Sequence, residues 1–503
     1  MLNSIYLQYF HSRMKNIEYF IRHSFDIQEQ WLLKLLQSGK NTVYGRKYGF
    51  ENITNLESFR KNVPVVEYHD LSPYIQRIRK GEQNVLWNTP IHLFSKSSGT
   101  TSEQSKFIPI SNESLQFCHF KAGKDTYSLY SNAYPQSKIF QGYALGMGGH
   151  LSKGQSKNSY EGDVSALLMK KLPYLAQCKR KPSLNIALMD EWESKIEKLA
   201  DTTIHSNITH ILGVPSWTLL LLKRILEKTQ KQDIKSVWHN LEVFFHGGVS
   251  FDPYQKEYER IISSEMRYFQ TYNASEGYFA IQDRPNSNDM LLLLDHGIFY
   301  EFMPMLEIGK DDPKLLALDE IELNTNYGLV ITTNGGLWRY LIGDTITFTS
   351  KDPFRIRVTG RTRYFINAVG EEVILENVEK ALQEVLSQCD AVIEEYMGGP
   401  VYSENDRKAY HEWVFEFNKA PDNILQFTEM FDRALQKANS DYAAKRYQNM
   451  ILQMPIIHIA PSGTFYKWMK NRGKLGGQHK VPRLANNREH LDSILLTVNN
   501  KMQ

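Results

Sequence analysis

Apolar positions set out the chain before any motif does. Between residues 27 and 87, short helical patterns alternate with polar turns, and Trp31, Leu32, Leu35 and Leu36 recur at helical spacing. Residues 63–65 read as extended around Pro64, because a proline drives the preceding residue out of the α region. Helical periodicity returns over 68–79, and residues 112–130 read as a further helix. Short apolar runs then predict strands at 139–145, 185–189, 208–212 and 243–246, with helices at 192–199 and 216–228 between them. Strands alternating with helices in this way predict an α/β fold with a parallel or mixed sheet flanked by helices. Beyond His246 the spacing shortens, and strands at 267–272, 278–282, 290–294, 298–303, 321–323 and 329–333 are expected to pair antiparallel.

A change of pattern marks a boundary at FRIRVTGRTRYFINAVGEEV, residues 354–373. After it, Leu375, Val378, Leu382 and Val385 predict one helix, and Ile424, Phe427, Phe431 and Leu435 a second. Strands are expected at 392–397, 413–417 and 456–460. The expected organisation is a large N-terminal domain at 1–358, a hinge at 359–366, and a smaller mobile α+β domain at 367–503, with Gly360 and Gly370 giving it freedom to swing. A chain of 503 residues is too long for one compact core, which agrees with that division.

Composition narrows the classes of partner. No apolar run approaches the roughly 18 residues of a membrane span, and residues 1–23 read as an amphipathic helix instead of an export signal. Cys118, Cys178 and Cys389 are too far apart for a zinc site or a disulfide framework, which fits packing residues in a reducing cytoplasm. Basic and acidic residues, 59 against 56, nearly balance, so neither nucleic acid nor an anionic membrane is expected as a partner. The basic clusters at 170–181 and 467–480 read as solvated faces, and oligomeric state is not legible.

Chemistry concentrates in a few runs. FSKSSGTTSEQSKFIPI, residues 94–110, sets Ser97, Ser98, Thr100 and Thr101 around Gly99, where a tight turn exposes N–H groups beside hydroxyl donors; Lys106 can add a mobile positive charge. It lacks the second glycine of the phosphate loop of kinases and GTPases, and SSGTT alone fits an ordinary surface turn equally well. FFHGGVSF, residues 244–251, places Gly247 and Gly248 after an apolar strand, where backbone can pass close to a ligand or simply turn. YNASEGYFAIQ, residues 272–282, offers Tyr272 for stacking on a base, Ser275 for a hydrogen bond and Glu276 for Mg²⁺; the bland alternative is a tyrosine-rich hairpin. In WRYLIGD, residues 338–344, Asp344 can accept from two ribose hydroxyls and Arg339 can reach a phosphate or stack on Trp338, although Gly-Asp pairs are common in turns. GKLGGQHKVPR, residues 473–483, carries Lys480 behind a flexible Gly-Gly lead, or is a basic tail.

Taken in order, these runs resemble the adenylate-forming superfamily of acyl-CoA synthetases, luciferases and peptide-synthetase adenylation domains. They are most similar to the Gretchen Hagen, or auxin-responsive promoter, family of acyl-acid amido synthetases. VPVVEYHDLSPYIQRIRKGEQNVLW, SSGTTSEQSKFIPI, GVPSWTLLLLKRILE, FHGGVSFDP, QTYNASEGYFAIQD, WRYLIGD and QHKVPR carry the resemblance over nearly the whole chain.

That resemblance implies a large adenylate-forming domain of mixed sheets, with a small mobile domain behind it. It implies ATP phosphates held by Ser97, Ser98, Thr100 and Thr101 with Gly99 and Lys106, adenine and Mg²⁺ at Tyr272 and Glu276, ribose at Asp344, and Lys480 beside the reacting carboxylate. The implied substrates are a small carboxylic acid and an amine, an amino acid by expectation, joined with release of pyrophosphate and AMP. The acid is expected among residues 143–150, Val214, Trp217, Phe245, His246, Gly247 and Gly248. Three positions depart from the usual pattern: Ser102 replaces a glycine, Leu341 an arginine and Tyr364 an aspartate. Transfer to coenzyme A or a carrier thiol, and a sensor that binds nucleotide without turnover, stand as alternatives.

Overall fold

The computed structural model describes residues 2–97, 106–248, 251–262, 266–361, 365–371, 373–403, 408–472 and 481–499. The chain divides into two compact units. One comprises Met1–Ser97, Lys106–Gly248 and Glu259–Thr362; the other is chiefly Arg363–Gln503, joined by Val249–Tyr258.

The strands of the first unit are, in chain order, β1 (Leu93–Ser97), β2 (Lys106–Ile110), β3 (Tyr143–Gly146), β4 (Leu151–Lys153), β5 (Tyr160–Gly162), β6 (Arg180–Lys181), β7 (Ile208–Gly213), β8 (Val243–His246), β9 (Arg267–Asn273), β10 (Tyr278–Ile281), β11 (Met290–Leu292), β12 (Ile298–Pro304), β13 (Asn326–Thr333), β14 (Tyr340–Lys351) and β15 (Phe354–Arg361). Eleven of them form one sheet in the order β12-β13-β14-β15-β11-β10-β9-β8-β7-β3-β6. Pairing is parallel from β6 through β3, β7 and β8 to β9, and antiparallel from β9 onwards. The sheet changes character at β9, the strand that ends in Tyr272 and Asn273. β7 and β8 are short apolar runs buried on both faces, as parallel strands covered by helices must be.

A second sheet, β2-β1-β5-β4, carries the hydroxyl-rich hairpin. The helix Tyr68–Arg79, with a capping box between Glu67 and Asp70, holds it in place. The phenol of Tyr68 accepts the N–H of Phe107 (2.8 Å), and the Arg79 guanidinium lies 3.5 Å from the Phe107 ring while it clasps both oxygens of Glu161 at 2.8 Å.

Two expected strands are absent. Residues 185–189 belong instead to the short helix Leu184–Ala187, since a brief apolar run has no periodicity that separates strand from helix. Residues 321–323 make only a single bridge, Leu323 to Phe348. The antiparallel expectation beyond His246 holds from β9 onwards, since β9 pairs antiparallel with β10 although its other edge is parallel to β8, while the Leu323 bridge is parallel. Of the cysteines expected to be packing residues, Cys118 is buried but Cys178 is exposed.

The second unit has a small hairpin, β16 (Phe365–Ile366) with β17 (Val373–Ile374), and a sheet of β18 (Val392–Val401), β19 (Tyr410–Lys419) and β20 (Ile456–Ala460). Period-two alternation on β19 sends Trp413, Phe415 and Phe417 to one face, where Phe427 and Phe431 of the helix Ile424–Ala438 meet Phe415 edge-on at 5.8 Å. Val414 faces the other way, into a core with Met397, Phe465, Trp468 and Ile494. Near the start of this unit the buried Glu371 accepts the N–H groups of Ala368 and Val369 and meets Nε2 of His411 at 2.7 Å.

Candidate functional site

Four parallel strands finish side by side. Register places Gly146 of β3 beside Leu212 of β7, Gly213 beside His246 of β8, and His246 beside Gln270 of β9. Their carboxyl ends lead into residues 147–150, into Val214 and the helix Pro215–Thr229, into Gly247 and Gly248, and into the turn after Asn273. In open α/β sheets ligands bind outside the carboxyl ends of the strands, and here those ends carry the residues singled out by sequence.

Backbone geometry at Gly247 explains its residue type. A Cβ there would lie 2.4 Å from the carbonyl oxygen of Thr271 and 2.7 Å from its hydroxyl, so β8 and β9 approach as closely as they do only without a side chain. Gly248 has φ +84°, and a Cβ on it would stand 3.3 Å from Cγ2 of Val214, which brings the end of β7 against the end of β8. Val214 and Trp217 are half-buried, and Pro215 opens the helix at the position where its missing N–H costs nothing.

Beyond β9 the chain turns tightly: the N–H of Ala274 donates to the Gly277 carbonyl (2.8 Å) and Gly277 returns the bond at 3.4 Å. Ser275 and Glu276 occupy the tip. The hydroxyl of Ser95, fully buried on β1, donates to Oγ of Ser275 (2.8 Å), so the hydroxyl-rich hairpin and this turn are in direct contact. Ser97 pairs with Lys106 at the open end of the hairpin. Lys106 is buried, with its ammonium 5.9 Å from the Tyr68 ring centroid. Ser98, Gly99, Thr100, Thr101 and Lys480 lie outside the described residues.

The turn also reaches β14. The buried phenol of Tyr272 donates to Oδ2 of Asp344 over 2.6 Å, while its ring packs 4.9 Å from Phe279. Three runs distant in sequence, at Ser95, at Tyr272–Ser275 and at Asp344, are thus joined by two side-chain hydrogen bonds within one unit.

Two expected site residues have other roles. Arg339 was expected near phosphate, but its guanidinium is buried and committed: Nε and one terminal nitrogen donate to Glu301 (2.9 and 3.2 Å), and the other terminal nitrogen donates to the carbonyls of Val63 (2.5 Å) and Arg60 (3.2 Å). It ties the approach segment to β12. Phe245 was expected to line the acid pocket, but strand alternation turns it into an aromatic core with Tyr127, Tyr130 and Phe269 at 5.2–5.8 Å. Its neighbour His246 is buried too, and loss of solvation pushes its pKa down to about 3, so the ring is neutral at physiological pH.

Sequence reasoning passed over Ser95, which sits in the hydroxyl-rich run but two positions before Ser97, the first of the residues that drew attention. It also missed Lys195, buried on the helix Trp192–Thr203, whose ammonium donates to the Gly148 carbonyl and holds the loop after β3. Among the described residues, one group has metal-type spacing, Asp125, Asp295 and His296. Arg13 and Lys121 already neutralise both aspartates at 2.7–3.0 Å, which makes it a structural ion network.

The chain matches three family models in succession: the GH3 family N-terminal domain over residues 13–266, the GH3 family central domain over 291–361 and the GH3 family C-terminal domain over 376–489. It is 23% identical to an indole-3-acetic acid-amido synthetase, GH3.3, of Arabidopsis thaliana, over 93% of this chain and 91% of that one. It is 24% identical to the jasmonoyl-L-amino acid synthetase JAR6 of Nicotiana attenuata, over 91% and 90% respectively. The solved structure of the GH3.15 acyl acid amido synthetase superposes with a TM-score of 0.61 at 18% identity, over 97% of this chain and 96% of that one.

Proposed function

Because the chain belongs to the GH3 family, we propose that it is an ATP-dependent acyl-acid amido synthetase, a ligase that joins a small carboxylic acid to an amine, an amino acid, through an acyl-adenylate. The observation that supports this most directly is the pair of hydrogen bonds, Ser95 to Ser275 and Tyr272 to Asp344, that gather the phosphate, base and ribose motifs.

A carboxylate is a poor acyl donor, since its leaving group would be oxide. In the first half-reaction its oxygen attacks the α-phosphorus of ATP, the bond to pyrophosphate breaks, and a mixed anhydride forms. In the second, the amine nitrogen attacks the acyl carbon, a proton leaves nitrogen, and AMP departs. Catalysis of the first step is mostly positioning and neutralisation of spreading negative charge.

Ser97 and the hydroxyls that follow it hold the phosphates, Asp344 the ribose, and Tyr272 the adenine end; Lys480 neutralises charge between carboxylate and α-phosphate. Glu276, a half-buried carboxylate at the tip of a turn whose Ser275 meets Ser95 of the hydroxyl-rich hairpin, suits Mg²⁺, which when bound lowers the charge on the departing pyrophosphate. Val214, Trp217, Gly247 and Gly248 border the acid.

Pyrophosphate exchange into ATP, screened over a panel of carboxylic acids, tests the first half-reaction. Exchange should depend on one class of acid, and product masses with amino acids or coenzyme A then separate an amide from a thioester. No exchange with any acid would leave nucleotide binding without turnover.

A further inference from the structure

Buried arginines nearly always face an anion. The described residues include four, and three are clasped by a carboxylate: Arg79 by Glu161 at 2.8 Å, Arg339 by Glu301 at 2.9 Å and Arg446 by Asp432 at 2.6 Å. Arg180 is the exception. It is 8% exposed, and its terminal nitrogens donate to the Pro182 carbonyl (2.8 Å) and to Oε1 of Gln177 (3.0 Å), both neutral acceptors, while its buried Nε has no partner. Burial without an opposing charge lowers its pKa from the ordinary arginine value.

The neighbouring sequence adds positive charge: between Asp163 and Asp190 the chain holds five cations, Lys170, Lys171, Lys179, Arg180 and Lys181, and no acid. Arg180 lines an open cavity of about 520 Å³ with Lys170, Tyr174, Gln177, Cys178 and Ser183, room enough for a small organic anion. Lys170 stands over the Tyr160 ring at 4.3 Å. A guanidinium taken out of water without a counter-charge is strongly unfavourable, and an oxyanion in the cavity, accepting from the remaining N–H groups of its terminal nitrogens, would offset the penalty with charge-assisted hydrogen bonds.

We propose that this cavity is an oxyanion site, headed by Arg180 and assisted by Lys170, for a small phosphate or carboxylate. It lies on β6, at the margin of the sheet four strands from β9, roughly 19 Å from the Tyr272 strand at ordinary strand spacing. The site therefore takes a ligand other than the nucleotide bound near Asp344, and it stands or falls independently of the amido synthetase reading.

Thermal unfolding of the full chain tests it, with inorganic phosphate or acetate titrated against sodium chloride of matched ionic strength. The wild-type Tm should rise by about 5 °C as the site fills. Arg180→Met should abolish the rise and, freed of an uncompensated charge, melt no lower than wild type without anion. Lys170→Gln should raise the apparent Kd about tenfold, and it carries the test if Arg180→Met fails to fold. A response to phosphate alone or acetate alone assigns the class of oxyanion. Cosedimentation with vesicles containing phosphatidic acid, lost in Arg180→Met, would make the phosphate a lipid head group; a phosphate response without vesicle binding makes it a free ion. Equal shifts in wild type and both variants, or no shift with either anion, would overturn the proposal.

Discussion

Tyr272 and Asp344, 72 residues apart in sequence, share a buried hydrogen bond of 2.6 Å in which the phenol is donor and the carboxylate acceptor. The bond fixes the orientation of the carboxylate proposed to hold the ribose, so the proposed role of Tyr272 runs through Asp344 as well as through its ring. A bond to a charged acceptor contributes about 1.5–3 kcal/mol. Tyr272→Phe should therefore raise KM for ATP about tenfold, with kcat changed far less. Preference for ATP over 2′-deoxy-ATP should fall in parallel, because an untethered carboxylate grips the diol less well. An unchanged preference in pyrophosphate exchange would mean that the tether plays no part in ribose recognition.

Arg339 leads to the opposite expectation. Its guanidinium balances the buried Glu301 together with Arg60, and closes two carbonyls of the approach segment. Arg339→Met should lower stability by about 3–5 kcal/mol, the usual result of stripping one partner from a buried pair. Soluble variant protein should nonetheless keep its KM for ATP. Denaturant unfolding alongside steady-state kinetics separates the two effects, and a selective rise in KM would restore Arg339 to the nucleotide site.

Arg339 also shows where sequence reading stops. Glu301 lies 38 positions away and Val63 276, and nothing in WRYLIGD distinguishes an arginine that meets phosphate from one that meets a buried glutamate. The Ser95–Ser275 contact spans 180 positions and was equally invisible. Strands β7, β8 and β20 were legible because each is a bounded apolar run. β14 and β15 were not read as strands: Gly343 with φ +98° and register shifts at Thr345 and Phe348 interrupt β14, and basic residues crowd β15. The candidate site was legible as a succession of motifs, since glycines and hydroxyls announce close backbone approach. The burial that turned Phe245 into core was not, because an aromatic residue at a strand end suits a pocket and a core alike.

The proposed role of Lys480 is charge neutralisation in adenylation only. Lys480→Ala should slow acid-dependent pyrophosphate exchange by about 10²-fold, the scale of losing one preorganised electrostatic contact in a transition state. Aminolysis of an acyl-adenylate supplied ready-made should stay within a few-fold of wild type, because that step has no pyrophosphate to expel. Equal losses in both half-reactions would show that Lys480 serves binding or folding instead.

Three buried histidines in the first unit set its acid limit. Loss of solvation pushes His119 down to about 4, and His210 and His246 to about 3. An unfolded histidine titrates near 6.5, so the unfolded chain binds protons that the folded unit refuses. The sign follows from that difference: the stability is fully present above about pH 6.5 and is lost as pH falls towards the folded values. Between pH 7 and pH 5 each histidine should cost about 2 kcal/mol. Calorimetric Tm should decline steeply over that interval, while carboxylates near their ordinary values are still ionised. His119 has no hydrogen-bond partner on either ring nitrogen, so His119→Phe should keep the fold and make the decline shallower by about one proton. A Tm that stays flat to pH 5 would show that these rings gain protons without unfolding.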